Sequence, residues 1–164
     1  MEIIYKEIDN ELLEQIINDY GGKEERERYS MPFEKIIRGH ILLENGCFSI
    51  VALCGGKPVG FISIQTKTLE QPLNDKKDAC ISIIEVDIKY RRQGIGKKLV
   101  SLTEEWAAKN GLSQIRAWSS RDKIEAISMW YALKYCVCPA KIWVEWCKEV
   151  VDGYYVVKKM NLNN

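Results

Sequence analysis

Gly94 and Gly96 stand two residues apart where an apolar run gives way to helical spacing, and Lys89, Arg91, Arg92, Lys97 and Lys98 crowd into the ten residues around them. Lacking side chains, the two glycines let backbone N–H groups come close to an oxyanion. The first N–H groups of a helix have no intrahelical partner and the helix dipole is positive there, so such a corner suits a diphosphate. Cations in a first helical turn are normally unfavourable by about 0.3–1 kcal/mol each, a penalty that a bound polyanion reverses. A glycine pair among solvated lysines would by itself be an ordinary helical turn. The clustering of cations in an otherwise balanced chain is what singles this one out. Two common phosphate loops fit poorly: the dinucleotide fingerprint places a third glycine where Leu99 stands, and the nucleotide-hydrolase loop needs a Gly-Lys-Ser or Gly-Lys-Thr that the chain lacks.

The elements that must position this corner follow from periodicity. Residues 79–88 are near-continuously apolar up to Glu85, as expected of a central strand covered on both faces. A helix follows from about Gly94, with Ile95, Leu99, Leu102 and Trp106 at helical spacing and Asn110-Gly111 as its stop. Residues 112–119 again read as a strand, which completes a strand-helix-strand unit with parallel strands and a right-handed crossover. Upstream, residues 2–8 alternate as a half-buried strand. Asp9 or Asn10 then caps a helix carrying Leu12, Leu13, Ile16, Ile17 and Tyr20, which Gly21-Gly22 ends. Residues 23–28 read as a solvated charged loop, and Ser30 with Pro32 opens a second helix through Phe33, Ile36, Ile37 and His40 to Asn45-Gly46.

Residues 47–54 and 57–66 make an antiparallel hairpin about Gly55-Gly56, followed by a polar loop with Pro72, Asn74 and Asp75. Past residue 119, the capping-box spacing Asp122-Lys123-Ile124-Glu125 begins a helix. It presents Ile124, Ile127, Tyr131 and Tyr135 along one side, with Ala126, Trp130 and Leu133 beside them. Residues 141–150 and 154–160 close as a hairpin around Asp152-Gly153. One mixed α+β domain over residues 1–164 is expected.

Twenty-four Lys and Arg against 23 Asp and Glu leave a net charge of +1, so no whole-molecule field points to nucleic acid or to an anionic membrane. Apolar residues at 46% and charged residues at 29% match a soluble globular domain. With no apolar run near the ~18 residues of a membrane span and no secretory-signal layout at residues 1–7, a cytoplasmic location is expected. Cys47, Cys54, Cys80, Cys136, Cys138 and Cys147 lie mostly in apolar stretches and read as buried free thiols. His40, the single histidine, lies far from Cys136-Val137-Cys138, so no metal is expected, and nothing near His40 supplies a triad partner.

Arg91-Arg92-Gln93-Gly94-Ile95-Gly96 resembles, at each position, the Arg/Gln-x-x-Gly-x-Gly/Ala signature of the Gcn5-related N-acetyltransferase (GNAT) superfamily. Val86-Asp87-Ile88 is similar to the Val-Asp-Pro-like step that ends the preceding strand in that family, and Tyr90 to the aromatic before the signature. The order of elements matches along nearly the whole chain, with residues 84–99 carrying the motif-grade match. The resemblance implies a GNAT-like fold: a central, mostly antiparallel twisted sheet flanked by helices, with one parallel strand pair splayed at the acyl-coenzyme A (acyl-CoA) site. It implies acetyl-CoA as cosubstrate and transfer of its acetyl group to a primary amine of a small molecule or protein. By the same resemblance, Val86 and Ile88 would offer main-chain groups to the pantetheine arm, and the N–H groups of Gln93, Gly94, Ile95, Gly96 and Lys97 would take the pyrophosphate. Arg91, Arg92 and Lys97 would contact phosphates, and Ser119 would border the arm.

Acetyl transfer from a thioester needs a neutral amine, a donor for the carbonyl oxygen and a proton for the thiolate. A lysine-like amine, with a reference pKa of about 10.4, is nearly all protonated at neutral pH, so a base or a water relay is required. Glu85, one residue before Val86, is the candidate base, with a structural or substrate-orienting role as the alternative. Backbone N–H groups near Val86 are the natural oxyanion donors. For the thiolate the family often uses a tyrosine within Asn-x-x-Ala-x-x-Phe-Tyr-x-x-x-Gly-Phe. Alignment on Ala126 and Tyr135 puts Lys123 at the asparagine, Trp130 at the tyrosine and Lys134 at the glycine; a one-residue shift makes Tyr131 the acid, against a core aromatic as the alternative.

The resemblance places the acceptor against residues 20–33, residues 68–78 and Tyr154, where Glu24, Glu25 and Glu27 either attract a cation or are simply solvated. Trp118, Trp130, Trp143 and Trp146 suggest an aromatic-walled core or pocket. A monomer and a homodimer both fit. The alternative function is a non-catalytic acyl-CoA sensor or interaction module on the same fold. A nucleic-acid binder is disfavoured, because the 89–98 cluster occupies a corner and not an extended face.

Overall fold

A computed structural model of the chain describes residues 2–29, 31–121, 123–144 and 148–160. The readings placed on Ser30, Asp122, Trp146 and Cys147 lie outside the described residues. The chain divides into two units: Met1–Thr66 with Ile81–Trp106, and Lys67–Cys80 with Ala107–Asn164.

In the first unit, β1 (Ile3–Glu7) pairs antiparallel with β2 (Cys47–Cys54), and β2 with β3 (Lys57–Thr68). Gly55 and Gly56, at φ 55° and 82°, are both left-handed, as a two-residue hairpin turn between twisted strands requires. β3 neighbours β4 (Lys77–Val86), which leads through a short 3-10 turn (Ile88–Tyr90) toward α4 (Ile95–Lys109). Asp9 caps α1 (Asn10–Asp19), its carboxylate accepting the Leu12 N–H at 2.8 Å. Together with α3 (Phe33–His40), α1 lays Leu13, Ile16, Ile17, Phe33 and Ile37 against Val51, Leu53 and Phe61. Each such side chain, buried, contributes about 1.5–3 kcal/mol. Tyr20 completes this core, 4.9 Å edge-on to Phe61 and 5.8 Å from the Phe33 ring.

His40 packs: its Nδ1 lies 2.8 Å from the Ser82 hydroxyl, and burial lowers its pKa. Residues 23–28, expected as a solvated loop, instead contain α2 (Lys23–Glu27), on which Glu25 is 9% exposed. Glu25 and Arg28 there are paired with each other, and Arg28 also with Glu85, whereas Lys23, Glu24 and Glu27 are exposed as expected.

In the second unit, the start of β4 runs parallel to β5 (Gln114–Ser120), in register at Ala79 with Ile115 and Cys80 with Arg116. β5 pairs antiparallel with β7 (Glu149–Lys159), and β7 with β6 (Cys136–Val144). Among the described residues, seven strands with one parallel pair, flanked by helices, make the mixed α/β sheet architecture that the sequence implied. Asp78, fully buried, is ion-paired with Arg116, which also donates to the Tyr155 hydroxyl at 2.8 Å. Burial works against the Arg116 charge, but Tyr155 and Asp78 together raise its pKa. A buried charge stripped of its partner is destabilising by roughly 3–5 kcal/mol, so this pair constrains the β4–β5 register.

The closing hairpin does not turn at Asp152-Gly153: both lie inside β7, opposite Lys141 and Ala140. Gly153 is there for close approach, since a Cβ on it would stand 2.6 Å from both the Ser119 carbonyl oxygen and the Trp118 indole nitrogen. On α5 (Ile124–Ala132), Ile124 and Tyr131 are 73% and 60% exposed whereas Trp130 is 2% exposed. Across both units the described cysteines are free but, against expectation, not uniformly buried: Cys54 is buried, Cys47 and Cys80 are half-buried, and Cys136 and Cys138 are exposed on β6. Gly153→Ala should therefore lose about 1–3 kcal/mol of unfolding free energy in urea titrations, the usual magnitude for overpacking; an unchanged midpoint would show that β5 and β7 can separate freely there.

Candidate functional site

The corner between β4 and α4 is built by local hydrogen bonds and two left-handed residues. The Asp87 N–H donates to the Val59 carbonyl at 2.9 Å, while the Asp87 side chain and carbonyl accept from the N–H groups of Lys89 at 2.9 Å and Tyr90 at 2.8 Å. This caps the 3-10 turn and gives the aspartate of the Val-Asp-Ile step its structural task. Arg92, at φ 62°, and Gly94, at φ 82°, then redirect the chain into α4. A Cβ on Gly94 would meet nothing within 4 Å, so that glycine answers a backbone demand and leaves the corner open. Ile95, 2% exposed, anchors the turn in the core.

The helical ladder opens with the Lys98 N–H donating to the Gly94 carbonyl at 3.0 Å. The N–H groups of Ile95, Gly96 and Lys97 therefore precede the ladder. Arg92, Gln93, Gly94, Lys97 and Lys98 are exposed around them. Arg91 differs from its neighbours: half-buried, it donates through Nε to the Val86 carbonyl at 3.0 Å and reaches the Glu25 carboxylate at 3.5 Å. That carbonyl, one of the main-chain groups singled out from the sequence, is thus engaged from within the chain. Ile88, the first residue of the 3-10 turn, is 64% exposed.

Glu85 is 17% exposed, and both of its oxygens are engaged. One is ion-paired with Arg28, and the other accepts from the Tyr29 hydroxyl at 2.8 Å. Burial raises the Tyr29 pKa and Glu85 adds to it; for Arg28, burial opposes the charge, but Glu85, Tyr29 and Glu25 outweigh it and raise its pKa. The Tyr20 hydroxyl is buried without a hydrogen-bond partner among the described residues, its pKa raised by burial and then by Glu85. Sequence reasoning missed Arg28 and Tyr29. The signal that could have found them is the i,i+3 spacing of Glu25 and Arg28 next to an aromatic.

In the second unit, Ser119 is buried on β5 opposite Tyr154, and Tyr131 stands on the exposed side of α5. Lys134 follows α5 at φ 62°, and the Tyr135 N–H donates to the Trp130 carbonyl at 3.0 Å. This left-handed helix end falls on the position aligned with the family's glycine, and Tyr135, aligned with its final aromatic, packs 4.9 Å from Trp130. A cavity of about 430 Å³ is lined by Arg121, Pro139, Lys141, Asp152 and Tyr154 among others. The first unit thus brings together Glu85, Val86, Ile88 and the loop from Arg91 to Lys97, while Ser119 and Tyr131 belong to the second. Among the described residues no group of three or more His, Cys, Asp or Glu side chains is placed to hold a metal, and no helix is long and apolar enough to cross a membrane.

A strand-to-helix corner with bare amides, set in a seven-stranded sheet with one parallel pair, defines an acetyltransferase architecture. Residues 9–135 match the model of the acetyltransferase (GNAT) family, and the chain belongs to that family. No curated protein matches it by sequence. Among solved structures it is similar to Arabidopsis thaliana NAA60 in complex with acetyl-CoA, with a TM-score of 0.76 and 15% identity over 97% of this chain and 99% of that one. It is similar to the ribosomal-protein-S18-alanine N-acetyltransferase from Escherichia coli, with a TM-score of 0.72 and 15% identity over 99% and 97%. It is also similar to Arabidopsis thaliana Naa50 in complex with the bisubstrate analogue CoA-Ac-MVNAL, with a TM-score of 0.71 and 17% identity over 96% and 99%. At these identities the likeness is one of fold.

A lysine in the left-handed region is strained by about 1–2 kcal/mol, part of which glycine's extra chain entropy offsets. Lys134→Gly should consequently raise unfolding free energy by roughly 1 kcal/mol; a loss of stability would mean that the lysine side chain, not the backbone, decides that position.

Proposed function

We propose that residues 1–164 act as one N-acetyltransferase domain, cytoplasmic, that moves the acetyl group of acetyl-CoA to a primary amine of a small molecule or protein. The observation that carries this reading is the β4–α4 corner of a GNAT family member, where the Ile95, Gly96 and Lys97 amides precede the helical ladder amid exposed Arg92, Lys97 and Lys98. The residues fit the ligand: Gly94 leaves the approach open, and charge and helix dipole both favour a pyrophosphate. Gln93 to Lys97 present amides to it, Arg91, Arg92 and Lys97 supply positive charge, Val86 and Ile88 face the pantetheine arm with main-chain groups, and Ser119 borders it. Glu85 accepts the amine proton, directly or through a water, and Tyr131 donates one to the departing sulfur. Two structural neighbours are named for, or bound to an analogue of, a peptide acceptor, which supports keeping a protein amine among the acceptors.

One observation favours a second reading, a non-catalytic acyl-CoA sensor: both Glu85 oxygens are already engaged by Arg28 and Tyr29. Thiol release from acetyl-CoA across polyamines, aminoglycosides, amino acids and peptide N-termini separates the two. The proposed enzyme turns over with at least one amine, and Glu85→Gln and Tyr131→Phe each lower kcat by roughly 10²-fold or more. Tight acetyl-CoA binding with no thiol release from any amine would instead establish the sensor.

A further inference from the structure

One oxygen of Glu25 lies 3.3 Å from Arg28 Nη2 and 3.5 Å from Arg91 Nη2. Arg28 Nη2 also meets Glu85, and Arg91 Nε holds the carbonyl of the next residue, Val86. The contacts close a ring: from Glu85 on β4 through Arg28, Glu25 and Arg91 back to Val86. Its side chains are two carboxylates and two guanidinium groups. Glu25 is the shared member, and at 9% exposure its charge has little recourse to water. A single carboxylate divided between two cations binds each less firmly than it would bind one, so a change at either arginine is felt by the other.

We infer that Glu25 is a positioning residue that couples the phosphate loop to the arginine covering Glu85. The inference rests on the proposed acetyl-CoA site. A diphosphate at the loop competes with Glu25 for Arg91. Glu25, relieved of Arg91, then holds Arg28 more strongly and draws it from Glu85, leaving an oxygen of Glu85 open to an incoming amine. Coupling of this kind is reciprocal, so Arg28, which is not among the loop residues, influences how well the loop binds its ligand. Without Arg28, Glu25 is left to Arg91 alone and withholds it from the phosphates.

A double-mutant cycle on acetyl-CoA affinity, measured by isothermal titration with all variants checked for folded-state circular dichroism, tests this. Arg28→Gln should weaken acetyl-CoA binding about five-fold in the otherwise native protein and less than about two-fold in a Glu25→Gln background. Equal losses in both backgrounds, as expected if Arg28 touched the ligand itself, overturn the inference, as does no loss in either. Should Glu25→Gln not fold, Glu25→Asp, one methylene too short to serve both guanidinium groups, takes its place with the same outcomes. Failure of the native protein to bind acetyl-CoA overturns the proposed site and this inference with it; native binding with an additive cycle overturns the inference alone.

Discussion

A chain that leaves β4 at Val86 and enters α4 at Ile95 has to reverse its course while keeping the first amides of the helix clear of other partners. The helical geometry guarantees that those amides are unpaired from within, and the turn decides whether anything else can reach them. Here Asp87 caps the 3-10 turn, Arg92 and Gly94 take left-handed conformations, and Ile95 sinks into the core. The result is a cluster of donors whose geometry the chain itself sets, which is what the proposed diphosphate site requires.

The rest of the first unit can be understood as support for that corner. Gly60 lets β3 pass β4 closely, for a Cβ there would lie 3.1 Å from the Glu85 carbonyl oxygen and 3.2 Å from the Ile95 side chain. Arg91 ties the loop back to the strand end through the Val86 carbonyl, and Glu25 ties Arg91 to α2. The local positive charge is thereby divided: Arg91 is held by the Val86 carbonyl and Glu25, whereas Arg92, Lys97 and Lys98 are exposed. Side chains such as Arg28 and Arg91 suit the internal task because a planar guanidinium can serve two acceptors at once.

Much of this was legible in the sequence wherever a residue type has one dominant physical use. Gly55-Gly56 reads as a hairpin turn and is one, and the strand-helix-strand run from residue 79 to 119 follows from apolar periodicity alone. Legibility failed where one residue type serves two purposes. Glycine at 153 reads as a turn because turns are its commonest use, yet here it admits the Ser119 carbonyl and the Trp118 ring into contact. Glu25 and Arg28 read as solvated because periodicity cannot distinguish hydration from an ion pair formed with a residue 57 positions away, as between Arg28 and Glu85. Lys134 hints at its left-handed backbone only through its alignment with the family's glycine, since a lysine does not itself favour that conformation, and on α5 packing buries Trp130 and leaves Tyr131 exposed.

The most direct test of the central claim watches the amides themselves. In a 15N-labelled sample titrated with coenzyme A, the resonances of Ile95, Gly96 and Lys97 should shift to saturation, in step with calorimetric binding, and more than those elsewhere in α4. Saturating binding that leaves these three amides unmoved would contradict the account, because the diphosphate would then be held by something other than the opened start of the helix.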